Sequence, residues 1–144
     1  MTGLYVLAGA LALTVALAGL HRHRDGLWRQ TRAVARALDD DTREDLRPLL
    51  PTAGERATLL QFSSAFCAPC RATRRVLGDV AAVALGVAHV EIDAESNLEL
   101  VRRLNILKTP TTLVLDERGR EVLRASGQPN KADVLRALGQ AVPS

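Results

Sequence analysis

A long apolar segment occupies the N-terminal end of the chain. Residues 2–20 contain no charged side chain and are rich in leucine, valine and alanine. A helix rises about 1.5 Å per residue, so this segment extends about 28 Å, close to the thickness of the hydrocarbon layer of a bilayer. No amphipathic pattern supports the alternative of a buried core helix. The pattern therefore predicts a transmembrane anchor over residues 1–20, with a secretory signal peptide as the other interpretation.

The charges around this segment favour the anchor. A signal peptide carries a basic region ahead of its apolar core, and only Met1, Thr2 and Gly3 precede this one. Basic side chains follow it instead, namely Arg22, Arg24, Arg29, Arg32 and Arg36. Arginines next to a membrane span remain on the cytoplasmic side. We therefore expect a single-pass protein of the cell membrane whose later residues lie in the cytoplasm, with an extracytoplasmic orientation as the alternative.

A basic segment and a linker are predicted between the anchor and the rest of the chain, over residues 21–56. Between residues 26 and 38, leucine and valine fall on one helical face and arginine on another. This arrangement predicts a helix that lies along an anionic membrane surface or in solvent. Pro48, Pro51 and Gly54 then predict a linker.

From residue 57 onward the pattern alternates between strand-like and helix-like segments. Short apolar runs predict strands, and apolar spacings of three and four residues predict helices. The predicted elements are a strand at 58–62, a helix from Pro69, a strand at 87–93, a helix ending near Leu104, a hairpin of strands at 111–115 and 121–125, and a helix capped by Asn130. In the helix after Pro69, the side chains expected to face the core are Ala72, Val76, Val80, Val83 and Ala84. This order predicts an α/β domain over residues 57–144, in which a mixed sheet has helices on both faces.

The two cysteines of the chain lie three residues apart, where the first of these strands gives way to a helix. Pro69 fits the first helical turn, because its missing N–H would have had no partner there. Cys67 then lies at the helix N-terminus, where unpaired backbone N–H groups and the helix dipole stabilise a thiolate. Cys70 follows one turn later, within reach of a disulfide. The pattern predicts a reactive dithiol in a basic surrounding of Arg71, Arg74 and Arg75.

Two other interpretations of the cysteine pair are weaker. Tetrahedral zinc needs four ligands, and besides the cysteines the chain offers only His21, His23 and His89. We therefore expect no metal. Two inert buried thiols are the second alternative, but the start of a helix after a strand is the environment that makes cysteines reactive.

The cysteine segment resembles that of the thioredoxin family, whose signature is Trp-Cys-Gly-Pro-Cys between a strand and a helix. Residues 66–70 are Phe-Cys-Ala-Pro-Cys. Residues 106–111, Ile-Leu-Lys-Thr-Pro-Thr, are similar to the family's loop whose proline is cis and faces the disulfide. Further similarity at residues 90–93 and 116–120 extends the resemblance over about residues 57–142. The resemblance implies a thioredoxin-like fold for this part of the chain.

The resemblance also implies roles for individual residues. Cys67 would attack a substrate disulfide and Cys70 would resolve the product. Phe66, Thr109 and Pro110 would form the groove that binds the substrate. The implied partners are a disulfide-containing protein substrate and an electron-donating reductase.

Some positions depart from the family's pattern. Gln61 stands where the family has a buried acid, and an amide cannot accept a proton at neutral pH. We therefore consider His89 as the group that transfers the proton of Cys70, since histidine titrates near neutrality. An ordinary hydrogen bond of a strand histidine is the alternative. Phe66 replaces the family's tryptophan, and Arg75 replaces its helix-kinking proline.

Composition excludes several other classes of function. The net charge is +3, but the excess of arginine is concentrated next to the predicted anchor, and aromatic residues make up 3% of the chain. Nucleic-acid binding is therefore not expected. We find no phosphate-binding glycine loop and no nicotinamide or flavin motif, and so expect no cofactor. The predicted function is a membrane-tethered thiol-disulfide oxidoreductase that reduces protein disulfides; the alternative is a thioredoxin-like binding module with little redox turnover.

Overall fold

The computed structural model describes residues 2–24, 28–30, 46, 48, 50 and 53–142. Within these residues, one five-stranded mixed sheet is covered by helices on both faces. The elements are α1 (Thr2–Arg24), β1 (Trp28–Gln30), β2 (Ala57–Ser63), α2 (Ala68–Val83), β3 (Val87–Asp93), α3 (Leu98–Arg103), β4 (Thr111–Asp116), β5 (Glu121–Ser126) and α4 (Lys131–Ala141). The predicted strands and helices after residue 57 are all present, and the α/β class is confirmed.

The strand order is β1-β5-β4-β2-β3. Strand β2 pairs with β3 in parallel and with β4 antiparallel, while β5 pairs antiparallel with both β4 and β1. Strands β2 and β3 therefore end at the same end of the sheet at which β4 and β1 begin. We call this the Ser63 end, because Ser63 is the last residue of β2. The β4–β5 turn at residues 117–120 lies at the opposite end.

The core consists of two layers, one on each face of the sheet. All seven residues of β2 are buried, and its side chains alternate between the layers. Leu60 and Phe62 pack against α3, together with Val90, Ile92, Leu100, Leu104 and Leu113. On the other face Leu59 packs against α2 and α4, together with Leu77, Val80, Val114, Leu123, Val134 and Leu138. The central strand is thus fixed on both faces, and its end is a rigid base for the loop that follows.

The prediction of a helix over residues 26–38 is wrong at residues 28–30, the part of this range that the structure describes. Trp28–Gln30 forms strand β1, whose partners are Leu123, Arg124 and Ala125 of β5. The pairing satisfies backbone groups along what would otherwise be an open sheet edge. Residues 31–38 lie outside the described residues. The predicted domain start at residue 57 left this strand outside the domain.

The predicted linker also contributes to the core. Leu46 is 2% exposed and belongs to the layer that contains Phe62 and Leu100. Leu50 packs partly buried against the same layer. Apolar side chains on either side of Pro48 therefore anchor this stretch to the domain.

The predicted core stripe of the cysteine helix is rotated relative to the observed one. Helix α2 buries Cys70, Thr73, Leu77 and Val80, whereas Val83 is 67% exposed. Of the predicted stripe, Val80 alone is fully buried; Ala72, Val76 and Ala84 are half-buried. The rotation follows from the first turn, where the backbone of Cys70 is hydrogen-bonded to β2 and so faces the sheet.

The apolar N-terminal segment is helical, as predicted. Helix α1 covers 23 residues, and its side chains from residue 5 to residue 20 are exposed. The large apolar side chains among them are Tyr5, Val6, Leu7, Leu11, Leu13, Val15, Leu17 and Leu20. Among the residues described by the structure, no helix reaches the combined length and hydropathy of a membrane span.

Candidate active site

The Ser63 end of β2 leads directly into the cysteine pair. Cys67 is the N-cap residue of α2, and its Sγ accepts a hydrogen bond of 3.1 Å from the backbone N–H of Cys70. Pro69 lies in the first helical turn, where the sequence predicted it. The two sulfurs are joined in a disulfide of 2.04 Å, with 5.2 Å between the Cα atoms. When the pair is reduced, the same N–H donor and the helix N-terminus favour a thiolate on Cys67.

The two sulfurs differ in access. Cys67 is half-buried, and its neighbours Phe66 and Ala68 are exposed. Cys70 is 1% exposed and faces the sheet. A protein substrate that approaches the Ser63 end therefore reaches Cys67 first.

The loop before β4 lies against the cysteine segment. The peptide bond between Thr109 and Pro110 is cis, as the resemblance implied. The hydroxyls of Ser64 and Thr109 form a hydrogen bond of 3.0 Å that joins this loop to the segment preceding the cysteines. Pro110 is buried and Thr109 is half-buried, so Thr109 forms the more open part of the predicted groove. Phe66, the residue before Cys67, is 100% exposed.

Gln61 lies beneath the disulfide and is fully buried. Its Nε2 donates to the backbone carbonyl of Cys70 at 3.0 Å and to Oγ of Ser63 at 2.7 Å. Its Oε1 lies 3.1 Å from Nε2 of His89. The amide N–H groups and oxygen of Gln61 thus all have hydrogen-bond partners, and the side chain holds the first turn of α2 against β2. The amide does not titrate. Gln61 is a structural support in the position where the family has an acid.

His89 is joined to the site through Gln61. An amide oxygen only accepts hydrogen bonds, so neutral His89 donates from Nε2, and its basic nitrogen is Nδ1. The contact places His89 next to the amide that binds the backbone of Cys70. It gives His89 the ordinary hydrogen bond that the sequence offered as the alternative to proton transfer.

An ion pair borders this group of residues. Arg74 of α2 donates two hydrogen bonds to the carboxylate of Glu91, at 2.5 and 2.8 Å. The pKa of Glu91 lies below its ordinary value: burial alone would raise it, but hydrogen bonds from Arg74 and Ser63 outweigh that effect. Burial lowers the pKa of His89, although the carboxylate of Glu91 acts in the opposite direction. The sequence did not predict Ser63 and Glu91 as part of this site. Ser63 lies two residues after Gln61 in β2, and Glu91 lies two residues after His89 in β3. Residues two apart in a strand face the same side of the sheet, and this spacing could have indicated them.

Acidification should destabilise the domain in two stages. The groups that face His89 are Gln61 from β2, Arg74 from α2 and Glu91 from its own strand. The pKa of His89 is lower in the folded protein than its ordinary value of 6.5, so folding disfavours its protonated form. The free energy of unfolding is therefore unaffected by His89 above pH 6.5 and decreases as the pH falls from 6.5 toward the folded pKa. Glu91 acts at lower pH, where stability present above pH 4.5 is lost as the pH falls through its folded pKa.

The variant His89→Gln separates the two stages. Glutamine keeps an N–H donor for Gln61 but does not titrate, so we expect the upper stage to disappear and the lower one to remain. Urea unfolding of both proteins over a series of pH values measures this. The same pH dependence above pH 4.5 in wild type and variant would contradict the assignment to His89.

A comparison with protein families agrees with the geometry of the site. The family model described as a thioredoxin-like domain matches residues 49–142, which is more than half of the chain. The chain belongs to the thioredoxin family. The thioredoxin of Mycobacterium tuberculosis (strain ATCC 25618 / H37Rv) is 31% identical over 90 residues, which cover 62% of this chain and 77% of that protein. The match to the family model begins at residue 49, before the predicted domain start at residue 57.

Solved thioredoxin structures are similar as well. The thioredoxin of Fasciola hepatica superposes with a TM-score of 0.58 at 23% identity, covering 69% of this chain and 93% of that one, which shows the shared fold. Thioredoxin F from spinach chloroplast gives a TM-score of 0.55 at 26% identity and covers 65% of this chain and 83% of that one. Together with the Cys67–Cys70 disulfide, the relatives identify this protein as a thiol-disulfide oxidoreductase.

Proposed function

We propose that this protein reduces protein disulfides while tethered to the cell membrane by α1. The observation that carries the redox part is the difference between the two cysteines. Cys67 is half-buried and receives an N–H hydrogen bond at a helix N-terminus, whereas Cys70 is buried one turn away in the same disulfide.

The proposed reaction consists of two exchanges. The thiolate of Cys67 attacks one sulfur of the substrate disulfide, forms a mixed disulfide and expels the other sulfur as a thiolate, which takes a proton from solvent. Cys70 then loses its proton and attacks Sγ of Cys67, which expels the second substrate sulfur and forms the Cys67–Cys70 bond. The substrate gains two electrons from the cysteine pair and two protons, one lost by Cys70 and one taken from solvent. An electron-donating reductase returns the pair to the dithiol form.

Trapping the mixed disulfide tests this reaction. In the full chain carrying Cys70→Ser, expressed in cells, the first exchange proceeds and the second cannot, so we expect covalent adducts on Cys67 that dithiothreitol releases. The matched control is the double variant Cys67→Ser/Cys70→Ser, which should give none. The identity of the adducts reveals substrate and compartment together. Equal adduct levels in both variants would overturn the redox proposal.

The groove of Phe66 and Thr109 is the proposed binding surface for the substrate. Phe66 is fully exposed next to Cys67, and a protein substrate would cover it. For Phe66→Ala we expect KM for a disulfide-bonded protein such as insulin to rise about tenfold at unchanged kcat, since burial of a phenylalanine contributes roughly 1.5 kcal/mol or more. Steady-state kinetics with insulin measure this effect.

The control for this prediction is Leu85→Ala, which removes an 87% exposed side chain beyond the other end of α2. It should leave KM unchanged. Reduction of a small dipyridyl disulfide should be the same in all three proteins, because a small substrate does not reach the groove. An unchanged KM for insulin in Phe66→Ala would exclude Phe66 from the binding surface.

The tether is supported by α1 itself. The helix carries no charged residue between Thr2 and Leu20 and exposes its apolar side chains, and the basic residues follow it. The charge pattern supports a cytoplasmic position of the thioredoxin domain, where protein disulfides rarely persist and the pair would act as a reductase. Extracytoplasmic thiol reduction is the alternative that an opposite orientation would imply.

A binding module with little turnover is the second candidate function. The observation that favours it is Gln61, because a buried amide cannot accept the proton of Cys70. Such a module would bind the same partners equally well in wild type and in Cys67→Ser. Disulfide reduction at equal rates in these two proteins would favour it over the enzyme.

A further inference from the structure

The chain enters the sheet at the same end as the active site. In β1, Trp28 pairs with Ala125 and Gln30 pairs with Leu123. Ala125 pairs in turn with Thr112, which pairs with Gln61. Trp28 and Gln61 therefore lie in one row across the sheet, and Gln61 is the residue that binds the backbone of Cys70. Strand β1 runs away from this end, so its first residue, Trp28, lies at the end of β1 that is nearer the disulfide.

The distances along this path are short. Helix α1 ends at Arg24, and four Cα–Cα steps separate Arg24 from Trp28. A chain of that length spans at most about 14 Å even when fully extended. Within the row, Trp28 is three strand spacings from Gln61, which is about 14 Å. The β4–β5 turn lies farther away, because the strands of the hairpin extend about 17 Å from the Ser63 end.

We infer that α1 holds the Cys67–Cys70 end of the domain toward the bilayer, so that the substrates are disulfides of membrane proteins close to the lipid surface. The inference rests on the membrane tether proposed above. A strand docked in the sheet transmits the position of the helix end, whereas a long flexible linker would leave the domain free to turn. Residues 28–30 are such a strand, and their backbone pairing fixes which end of the sheet follows the helix.

The inferred substrate reacts by the two disulfide exchanges proposed above. A disulfide on a juxtamembrane segment accepts two electrons from the Cys67/Cys70 dithiol and leaves as two thiols. A disulfide tens of ångströms above the membrane would not meet Cys67 unless β1 detached from β5.

Two fluorescently labelled proteins test the orientation. In the full chain with Cys70→Ser, a donor dye is attached to Cys67. In the full chain with Cys67→Ser, Cys70→Ser and Arg118→Cys, the dye is attached at the exposed β4–β5 turn. Both are incorporated into vesicles of equimolar phosphatidylethanolamine and phosphatidylglycerol whose headgroups carry an acceptor dye. We expect more efficient energy transfer from position 67 than from position 118; equal or reversed efficiencies would overturn the inference.

Flotation of the same vesicles separates this inference from the tether on which it rests. If the full chain does not float with the vesicles, the proposed tether fails and the inference fails with it. If the chain floats and position 118 transfers more efficiently, the tether stands and the orientation alone is wrong.

A kinetic experiment provides a second readout. The full chain in the same vesicles, recharged by dithiothreitol, reduces a dye-releasing disulfide attached either to phosphatidylethanolamine or to a soluble peptide. Wild type should prefer the lipid-attached disulfide. A variant with a long Gly/Ser insertion after Arg24 keeps β1 and the anchor but frees the domain to turn, so its preference should fall severalfold. An equal preference in both proteins would contradict the inference.

Discussion

Replacing Cys67 with serine is expected to lower the rate of disulfide exchange by roughly 10³-fold or more, because the variant lacks the nucleophile of a covalent mechanism. A hydroxyl does not form an anion at neutral pH as a thiol does, even at the helix N-terminus where the N–H of Cys70 points at the side chain. Cys70 cannot substitute for it, because that residue is 1% exposed and faces the sheet. The effect of the substitution should therefore be near the limit of detection.

Reaction of the reduced full chain with a dipyridyl disulfide measures this directly through the absorbance of the released thiopyridone. Wild type should release the product in two successive steps as the Cys67–Cys70 bond closes. Cys70→Ser should complete the first step at a similar rate and stop at the mixed disulfide, which makes it the matched control. If Cys67→Ser reacted as fast as Cys70→Ser, the assignment of the attacking sulfur would be reversed.

Removal of the Arg124 side chain is expected to lower the free energy of unfolding by about 3 kcal/mol, the low end of the range for breaking a buried ion pair. Arg124 of β5 donates two hydrogen bonds of 2.7 Å to the carboxylate of Glu121, which is 2% exposed. A third nitrogen donates to the backbone carbonyl of Leu104 at 2.8 Å. Arg124→Ala removes these charge-assisted bonds and leaves a carbonyl at the end of α3 to find another partner.

Urea unfolding of the full chain measures this loss. The matched control is Arg136→Ala, whose side chain is 69% exposed and pairs with Asp133 on the surface of α4. That variant should lose no more than about 0.5 kcal/mol, as is typical of an exposed pair. Comparable losses in the two variants would show that burial of the Arg124 pair contributes little.

The sequence predicted the elements in which local pattern and tertiary packing agree. Strand β2 is a run of buried apolar residues bounded by a turn, and the cysteine segment follows it with a proline that fits a first helical turn. The cis proline came from the resemblance, because a Thr-Pro step alone is compatible with either isomer. These features depend on residues close together in the chain.

The features that the sequence did not predict depend on distant partners. Strand β1 has three residues, too few for a period of two to be visible, and its partner strand follows about 90 residues later in the chain. Leu46 looked like part of a linker because Pro48 and Pro51 follow it closely, yet its side chain is buried in the core. The hydrogen bond between Gln61 of β2 and His89 of β3 connects two strands and could not be inferred from either strand alone.

The burial of Cys70 beside an accessible Cys67 also determines how the site responds to peroxide. An oxidant that enters the site meets Cys67 first and converts its thiolate to a sulfenic acid. The thiol of Cys70, one turn away, condenses with that sulfenic acid, and water is released as the disulfide closes. The damaged form is then the same disulfide that the catalytic cycle already produces and its electron donor already opens, so the enzyme is protected from irreversible overoxidation.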